Sequence, residues 1–219
     1  MLRPGARPTR PGDGLDDHGF TMVELLVSMV IFAVLLAIFT SGIASMSRTT
    51  ARVTSTGEAS TELSRLYNRL DREIPYATAV NRPVQVGGSW YLEFATRTTK
   101  AGTAPYCTQY RYVPSTGTVD RRRWNESGPP GVTAWARVST GVQARGGASP
   151  WTFQAAGSTY ERQRLVVAVD VVRPRTPVQQ LDTTFVARNT DANTLTNVDA
   201  NADGISDTQV CTSQGVGRT

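Results

Sequence analysis

Gly19-Phe20-Thr21-Met22-Val23-Glu24-Leu25-Leu26-Val27-Ser28-Met29-Val30-Ile31-Phe32-Ala33-Val34-Leu35-Leu36-Ala37-Ile38-Phe39 is the stretch that organises the chain. From Phe20 to Phe39 it holds 20 residues and one charge, Glu24. At about 1.5 Å rise per residue, such a helix spans about 30 Å, the thickness of a bilayer's hydrocarbon core. It can cross a membrane once, and no other segment approaches its length. Arg3, Arg7 and Arg10 on one side face Arg48 and Arg52 on the other, so positive-inside counting leaves the orientation open. Glu24 is out of place in this run. A carboxylate costs about 2.5–3.5 kcal/mol at mid-membrane and less near one end. The apolar run begins abruptly behind Gly19 and carries its one charge in its first turns.

The whole chain of 219 residues is long enough for one globular domain with an accessory segment. Its hydrophobic content of 39% and charged content of 19% exclude both a disordered polyampholyte and a multi-span membrane protein. His18 is the sole histidine, which removes a His-centred metal site or a Ser-His-Asp triad from the body of the chain. No G-x-S-x-G occurs, and Lys100, the sole lysine, follows no Gly-rich loop. The expectation is therefore a protein that is not an enzyme. The net charge of +5 is unevenly spread: residues 47–175 carry +9 and residues 176–217 carry −4. A basic body is compatible with an anionic partner, but arginine as the ordinary solubilising residue is the favoured reading.

Gly19, Phe20, Thr21, Glu24, Leu25 and Leu26 ahead of a membrane-length apolar run resemble the N-terminus of the type IV pilin family. That signature is a short hydrophilic leader ending in Gly, then Phe-Thr-x-x-Glu, then an apolar helix. The resemblance implies cleavage between Gly19 and Phe20 by a membrane-embedded prepilin peptidase, followed by N-methylation of Phe20. It implies that Glu24 pairs with the N-terminal amine of a neighbouring subunit during fibre assembly. The physics agrees: cleavage places a cation at the head of an apolar helix, and two buried charges become tolerable when paired. The implied organisation is a leader at 1–19, the transmembrane half of a helix at 20–46, and an extracytoplasmic globular domain at 47–219. The implied location is a single pass through the cytoplasmic membrane, then the cell surface or an extracellular fibre. A competing reading makes residues 25–39 the core of an ordinary signal peptide, cut at Gly42-Ile43-Ala44 before Ser45. Such a peptide has no need of Glu24.

Beyond the membrane segment, Ile43, Met46, Thr50, Val53, Gly57, Ser60, Leu63, Leu66, Leu70 and Ile74 recur at spacings of three and four. This predicts one amphipathic helix continuing to Pro75, with Gly42 and Gly57 as points of bending or local melting. From residue 76 the pattern shifts to strands. Val84–Val86 and Trp90–Phe94 flank Gly87-Gly88, and Tyr106–Val113 and Thr118–Trp124 flank Pro114-Ser115-Thr116-Gly117, predicting two hairpins. Leu165–Val172 reads as a central strand and Thr183–Arg188 as a weaker one, with 125–150 a long loop holding one strand at 132–138. The expected class is α+β: a long N-terminal helix packed on an antiparallel sheet, in agreement with the pilin fold. Within that family the helix-end leucines and the Tyr-x-Tyr hairpin are similar to minor pilins and to pseudopilins of type II secretion. The expected partners are the peptidase, other pilin subunits and the membrane. The alternative class is a membrane-anchored surface binding protein or adhesin outside any fibre.

Three further features are candidates for sites. Cys107 and Cys211, in a domain outside the cytoplasm, suggest a bridge similar to the disulfide that staples the C-terminal region of many pilins. Two free buried thiols are the other reading. Asp199-Ala200-Asn201-Ala202-Asp203-Gly204-Ile205-Ser206-Asp207 fits the first nine positions of an EF-hand-like calcium loop. Asp199, Asn201, Asp203 and Asp207 would give side-chain oxygens and Ile205 its carbonyl, with Asp191 or Asn197 as a further donor. Val210 stands where the bidentate Glu belongs, so the alternative is a solvated acidic turn, and no cofactor is required by the fold. Finally, Arg121-Arg122-Arg123-Trp124 is a basic-aromatic cluster on a strand. Alternation sends Arg122 to the opposite face from its neighbours, so a solvated face is favoured over nucleic-acid binding.

Overall fold

The computed structural model describes residues 19, 21–97, 105–126, 132–146, 149–174 and 176–213. It divides into two compact units, Met1–Thr49 and Thr50–Thr219. The first unit holds the start of α1, Met22–Glu73. Thr21 precedes the helix and accepts the Glu24 N–H on its Oγ1 at 3.3 Å, so the helix opens on a side-chain cap. Hydroxyls inside the helix are satisfied within it: Ser28 Oγ donates to the Glu24 carbonyl at 2.8 Å and Thr40 Oγ1 to that of Leu36 at 2.7 Å. Helical backbone continues through Gly42 and Gly57, which mark no break in it. Pro75 ends α1, and Ile74–Tyr76 closes it as a 3-10 turn.

In the second unit the buried positions of α1 are Ala59, Leu63, Leu66 and Leu70. Their spacings of three and four put them on one stripe, which lies in a single core with Ile74, Leu92, Phe94, Tyr110, Leu165, Val167 and Phe185. The strands around that core form two antiparallel sheets, not the one sheet expected. The larger contains β1 Ala77–Val80, β2 Val84–Val86, β3 Ser89–Thr96, β4 Tyr106–Val113, β5 Thr118–Asn125 and β6 Ala136–Thr140. Its order is β1-β3-β4-β5-β6, with β2 also paired to β3. The smaller contains β7 Val142–Ala144, β8 Trp151–Gln154, β9 Arg164–Val171 and β10 Gln179–Val186, with β9 between β10 on one side and β7 and β8 on the other.

The chain changes sheets at Gly141. Its φ of +71° is open to glycine, and a Cβ there would meet the Val172 carbonyl oxygen at 3.2 Å. The turn frees β7 from the β6 register and delivers it to β9. Both expected hairpins are present. Gly87 and Gly88 take φ of +55° and +78°, the signs a type I′ two-residue turn needs. The central strand is β9, but its inner and outer residues alternate: Leu165, Val167, Val169 and Val171 are fully buried and the residues between them half-buried. The weak strand expected at Thr183–Arg188 is β10, which starts earlier and ends at Val186. The region expected to be a loop with one strand at 132–138 holds β6 and β7. Strands β1 and β8 were not anticipated.

Candidate functional site

The N-terminal site is built on the start of α1. Gly19 lies outside the helix and is exposed, and a Cβ placed on it would meet nothing within 4 Å. Phe20 lies outside the described residues. Thr21 and Glu24 form the first half of a capping box, Thr-x-x-Glu, a role for Thr21 that the motif alone does not reveal. Glu24 is exposed in the first turn of α1, where the aligned peptide dipoles favour a negative charge. Behind it, the helix holds a segment long and apolar enough to cross a membrane, and none of that segment is buried. Leu25, Leu26, Val27, Met29, Val30 and Ile31 are each more than half exposed, and the large apolar side chains stay exposed as far as Phe39. Leaving so many large apolar side chains in water costs on the order of 10–20 kcal/mol. That is comparable to the whole stability of a typical domain, so the segment lacks the apolar cover that lipid or other apolar helices would supply.

The disulfide Cys107–Cys211 is formed, with its Cα atoms 5.5 Å apart. It sits in a second small core with Ala95 and Trp124. Glu126 ties down the chain just beyond it, accepting from Trp124 Nε1 at 3.0 Å, from the Ser213 N–H at 3.1 Å and from Ser213 Oγ at 2.9 Å. Burial pushes the Glu126 carboxyl up, but these hydrogen bonds outweigh it and hold the group below the ordinary carboxylate range. Among the described residues, Cys107, Glu126 and Cys211 are also the one set of His, Cys, Asp or Glu ligand atoms within 4.8 Å of one another. With both sulfurs in the bridge, this is a covalent staple and its clamp.

The loop 199–207 is wound by its own side chains. Asp199 accepts the N–H of Asp203 on Oδ1 at 3.1 Å and that of Gly204 on Oδ2 at 3.2 Å, and Asp203 Oδ1 accepts the Ile205 N–H at 2.8 Å. Asp207 Oδ2 accepts the Ala200 N–H at 2.9 Å, while Asn201 Nδ2 donates to Asp203 Oδ2 at 2.9 Å. Gly204 supplies the turn at φ +82°. Arg82 Nε stands 3.6 Å from Asp199 Oδ2. Asn197 is committed elsewhere: its Oδ1 accepts from the Ala156 N–H and from Gln163 Nε2. Asp191 Oδ1 accepts the Asn193 N–H at 2.9 Å.

The arginine cluster is not a solvated face. Arg121 is buried, and its guanidinium holds Glu73 in a fork, Nη2 to Oε1 at 2.7 Å and Nε to Oε2 at 3.0 Å. Tyr110 Oη donates to Glu73 Oε2 at 2.7 Å, and Arg69 Nε reaches Glu73 Oε1 at 3.1 Å. Burial, then the charge and hydrogen bond of Glu73, push the Tyr110 hydroxyl well above its ordinary value. On the opposite face Arg122 lies over Trp135 at 4.6 Å and over Trp124 at 5.4 Å, and Arg111 lies over Trp135 at 4.3 Å. Arg123 lies over Tyr106 at 5.2 Å, so the arginines are spent on locking α1 to the sheet and on stacking with this chain's own aromatic rings.

Among known families, residues 15–40 match the prokaryotic N-terminal methylation motif. No curated protein and no solved structure matches the chain. The matched segment covers Gly19, the Thr21 cap, Glu24 and the uncovered apolar turns that follow, and leaves the sheet-bearing unit outside it. Residues 15–40 therefore carry the signal motif of type IV pilins and pseudopilins.

Proposed function

We propose that this chain is a structural subunit, a minor pilin or pseudopilin, of a type IV pilus or a type II secretion pseudopilus. A prepilin peptidase cuts after Gly19 and methylates the new amino group of Phe20. Residues 20–46 then hold the subunit in the cytoplasmic membrane until it joins the fibre at the cell surface. The observation that carries this reading is the methylation motif over residues 15–40, on a helix whose apolar side chains nothing among the described residues covers. The role of Glu24 follows from charge. A new amine at the head of α1 adds a cation to the positive end of the helix dipole. Glu24 is the one acid in the apolar segment, so it is the available partner for that amine in a packed bundle of subunits. Mass spectrometry of the mature protein is expected to show Phe20 first with one added methyl. A mature N-terminus at Ser45 would refute the reading. Glu24→Val is expected to leave membrane insertion intact and to impair incorporation into fibres.

A second reading, a membrane-anchored surface binder that depends on calcium, draws on one observation. The Asp199 carboxylate already organises the amides of residues 203 and 204, as the first ligand of a calcium turn does. With Val210 in place of the bidentate Glu, the affinity expected is about 10⁻⁴–10⁻³ M. Titration calorimetry of the full chain in detergent tests it. No heat and no gain in melting temperature at about 5 mM calcium reduces the loop to an acidic turn.

A further inference from the structure

We infer that an arginine-lined cleft at one edge of the larger sheet receives the acidic loop 199–207 of a second copy, joining copies head to tail. The inference rests on the fibre-subunit reading above and names the contact by which the globular units would repeat. The cleft has a volume of about 380 Å³. Arg65, Arg69 and Arg72 of α1 line one wall and Arg121 and Arg137 of β5 and β6 the other. Three carboxylates, Glu62, Glu73 and Asp120, pair with four of these five arginines. Arg72 has no carboxylate within ion-pair distance among the described residues, and Arg65, Arg69 and Arg72 are all exposed. The cleft is left net positive and open to solvent.

The negative end lies across the sheet. Loop 199–207 is tethered beside the β1 and β2 edge: the Arg82 N–H donates to Ser206 Oγ at 3.2 Å, and Asn81 Nδ2 donates to the Val210 carbonyl at 2.9 Å. Arg82 neutralises Asp199, whereas Asp203 and Asp207 are exposed without a basic partner among the described residues. From β1 to β6 is four strand steps, about 19 Å at about 4.8 Å each. That is about twice the screening length at physiological salt, so the loop does not neutralise the cleft of its own chain. Between copies the two patches can touch. They are different surfaces, so their contact is heterologous: it does not close as a two-fold dimer and can repeat indefinitely. A nucleic acid suits the cleft less well. Duplex DNA carries a charge every ~1.7 Å along its axis, and four of the five cleft arginines are already paired with this chain's own carboxylates, so little charge is left for a continuous phosphate run, whereas a short loop with two exposed acids needs no more.

The test is sedimentation equilibrium of the full chain in nonionic detergent with EDTA, at low and at high salt. The wild type is expected to self-associate at about 50 mM salt and to dissociate at about 500 mM, where screening is within ~5 Å. The exposed-site variants Arg65→Glu/Arg72→Glu and Asp203→Asn/Asp207→Asn are each expected to weaken association roughly tenfold. Mixed together, they are expected to stop at one-to-one pairs, because each variant keeps one intact end. Arg188→Glu, in a separate basic cleft with Arg97 and Arg162, is the control and is expected to change nothing. Several results would overturn the inference: no self-association at low salt, variants that associate like the wild type, an equal effect of Arg188→Glu, or larger species from the mixture. Binding of a 20-nucleotide DNA in place of self-association would assign the cleft to nucleic acid and overturn it as well. The fibre reading is judged separately by the Phe20 mass, so either can fail alone.

Discussion

Replacing Glu73 by alanine isolates the joint between α1 and the larger sheet. Glu73 is 16% exposed and is held by four hydrogen-bonding groups, from Arg121, Tyr110 and Arg69. Its removal leaves the Arg121 guanidinium, 9% exposed at its side chain, without a counter-charge. Breaking a buried pair from one side costs about 3–5 kcal/mol. Arg69 is 47% exposed, so its share is about 0–1 kcal/mol. The expected loss for Glu73→Ala is therefore about 3–4 kcal/mol, or about 6–16 °C in melting temperature for a domain of this size. Denaturant unfolding of the full chain in detergent, followed by tryptophan fluorescence, reads it. Arg121→Leu is expected to cost a similar amount, and the double variant much less than the sum, because neither charge is then stranded. A Glu73→Ala loss below about 1 kcal/mol, or a double variant that is additive within about 0.5 kcal/mol, would refute the joint.

The remaining expectations use other parts of the chain. Glu126 is held below the ordinary carboxylate range, so its clamp stabilises above the unfolded value of about 4.3 and is lost as the pH falls through the lower folded value. Hydrogen exchange of residues 207–213 at descending pH should rise only below about pH 4, and a rise between pH 5 and 7 would exclude Glu126 as its cause. Replacing Cys107 and Cys211 together by serine opens a closure of 104 residues, for which chain entropy gives about 4–5 kcal/mol, measurable by the same denaturant unfolding. Gly57→Ala adds a Cβ that meets nothing within 4 Å, so it should slow amide exchange around residue 57 roughly fivefold, the equivalent of about 1 kcal/mol of helix propensity. Unchanged exchange would mean that neighbouring contacts, not propensity, set the stability there.

Local signals were legible and long-range pairings were not. The membrane segment shows as a run, the leucine stripe as a period, and the two hairpins as Gly-Gly and Pro-Ser-Thr-Gly between alternating strands. The division into two sheets is hidden because residues 139–142 fall in a stretch that reads as loop, and only the close approach of Val172 makes Gly141 a corner. β1 and β8 are four residues each, too short to show a period. The Glu73 joint links positions 37 and 48 residues apart, and no spacing rule connects a helix end to the middle of a hairpin. Arginine misled for the same reason. Composition presents Arg121 as one of many surface cations, and its burial is visible only once Glu73 stands opposite it.

The middle of α1 separates an uncovered apolar segment from a buried stripe. Up to Phe39 its side chains are apolar except for Glu24 and Ser28, and from Ala59 its stripe is buried in its own domain. Between these lies Ser47-Arg48-Thr49-Thr50-Ala51-Arg52-Val53-Thr54-Ser55-Thr56-Gly57-Glu58, where no residue is buried. Its threonines, serines and glycine are poor helix formers and together cost about 5 kcal/mol against an all-alanine helix. In a bilayer, the environment proposed for the first segment, helix would be enforced because an unpaired backbone amide has no other partner there. The core enforces it in the last through Leu63, Leu66 and Leu70. Neither constraint reaches 47–58, so this segment has the lowest cost of opening in α1. Opening there would leave the membrane segment and the leucine stripe each intact. The weak residues are thus concentrated at the one place in the helix where loss of helical structure disrupts neither anchor nor core.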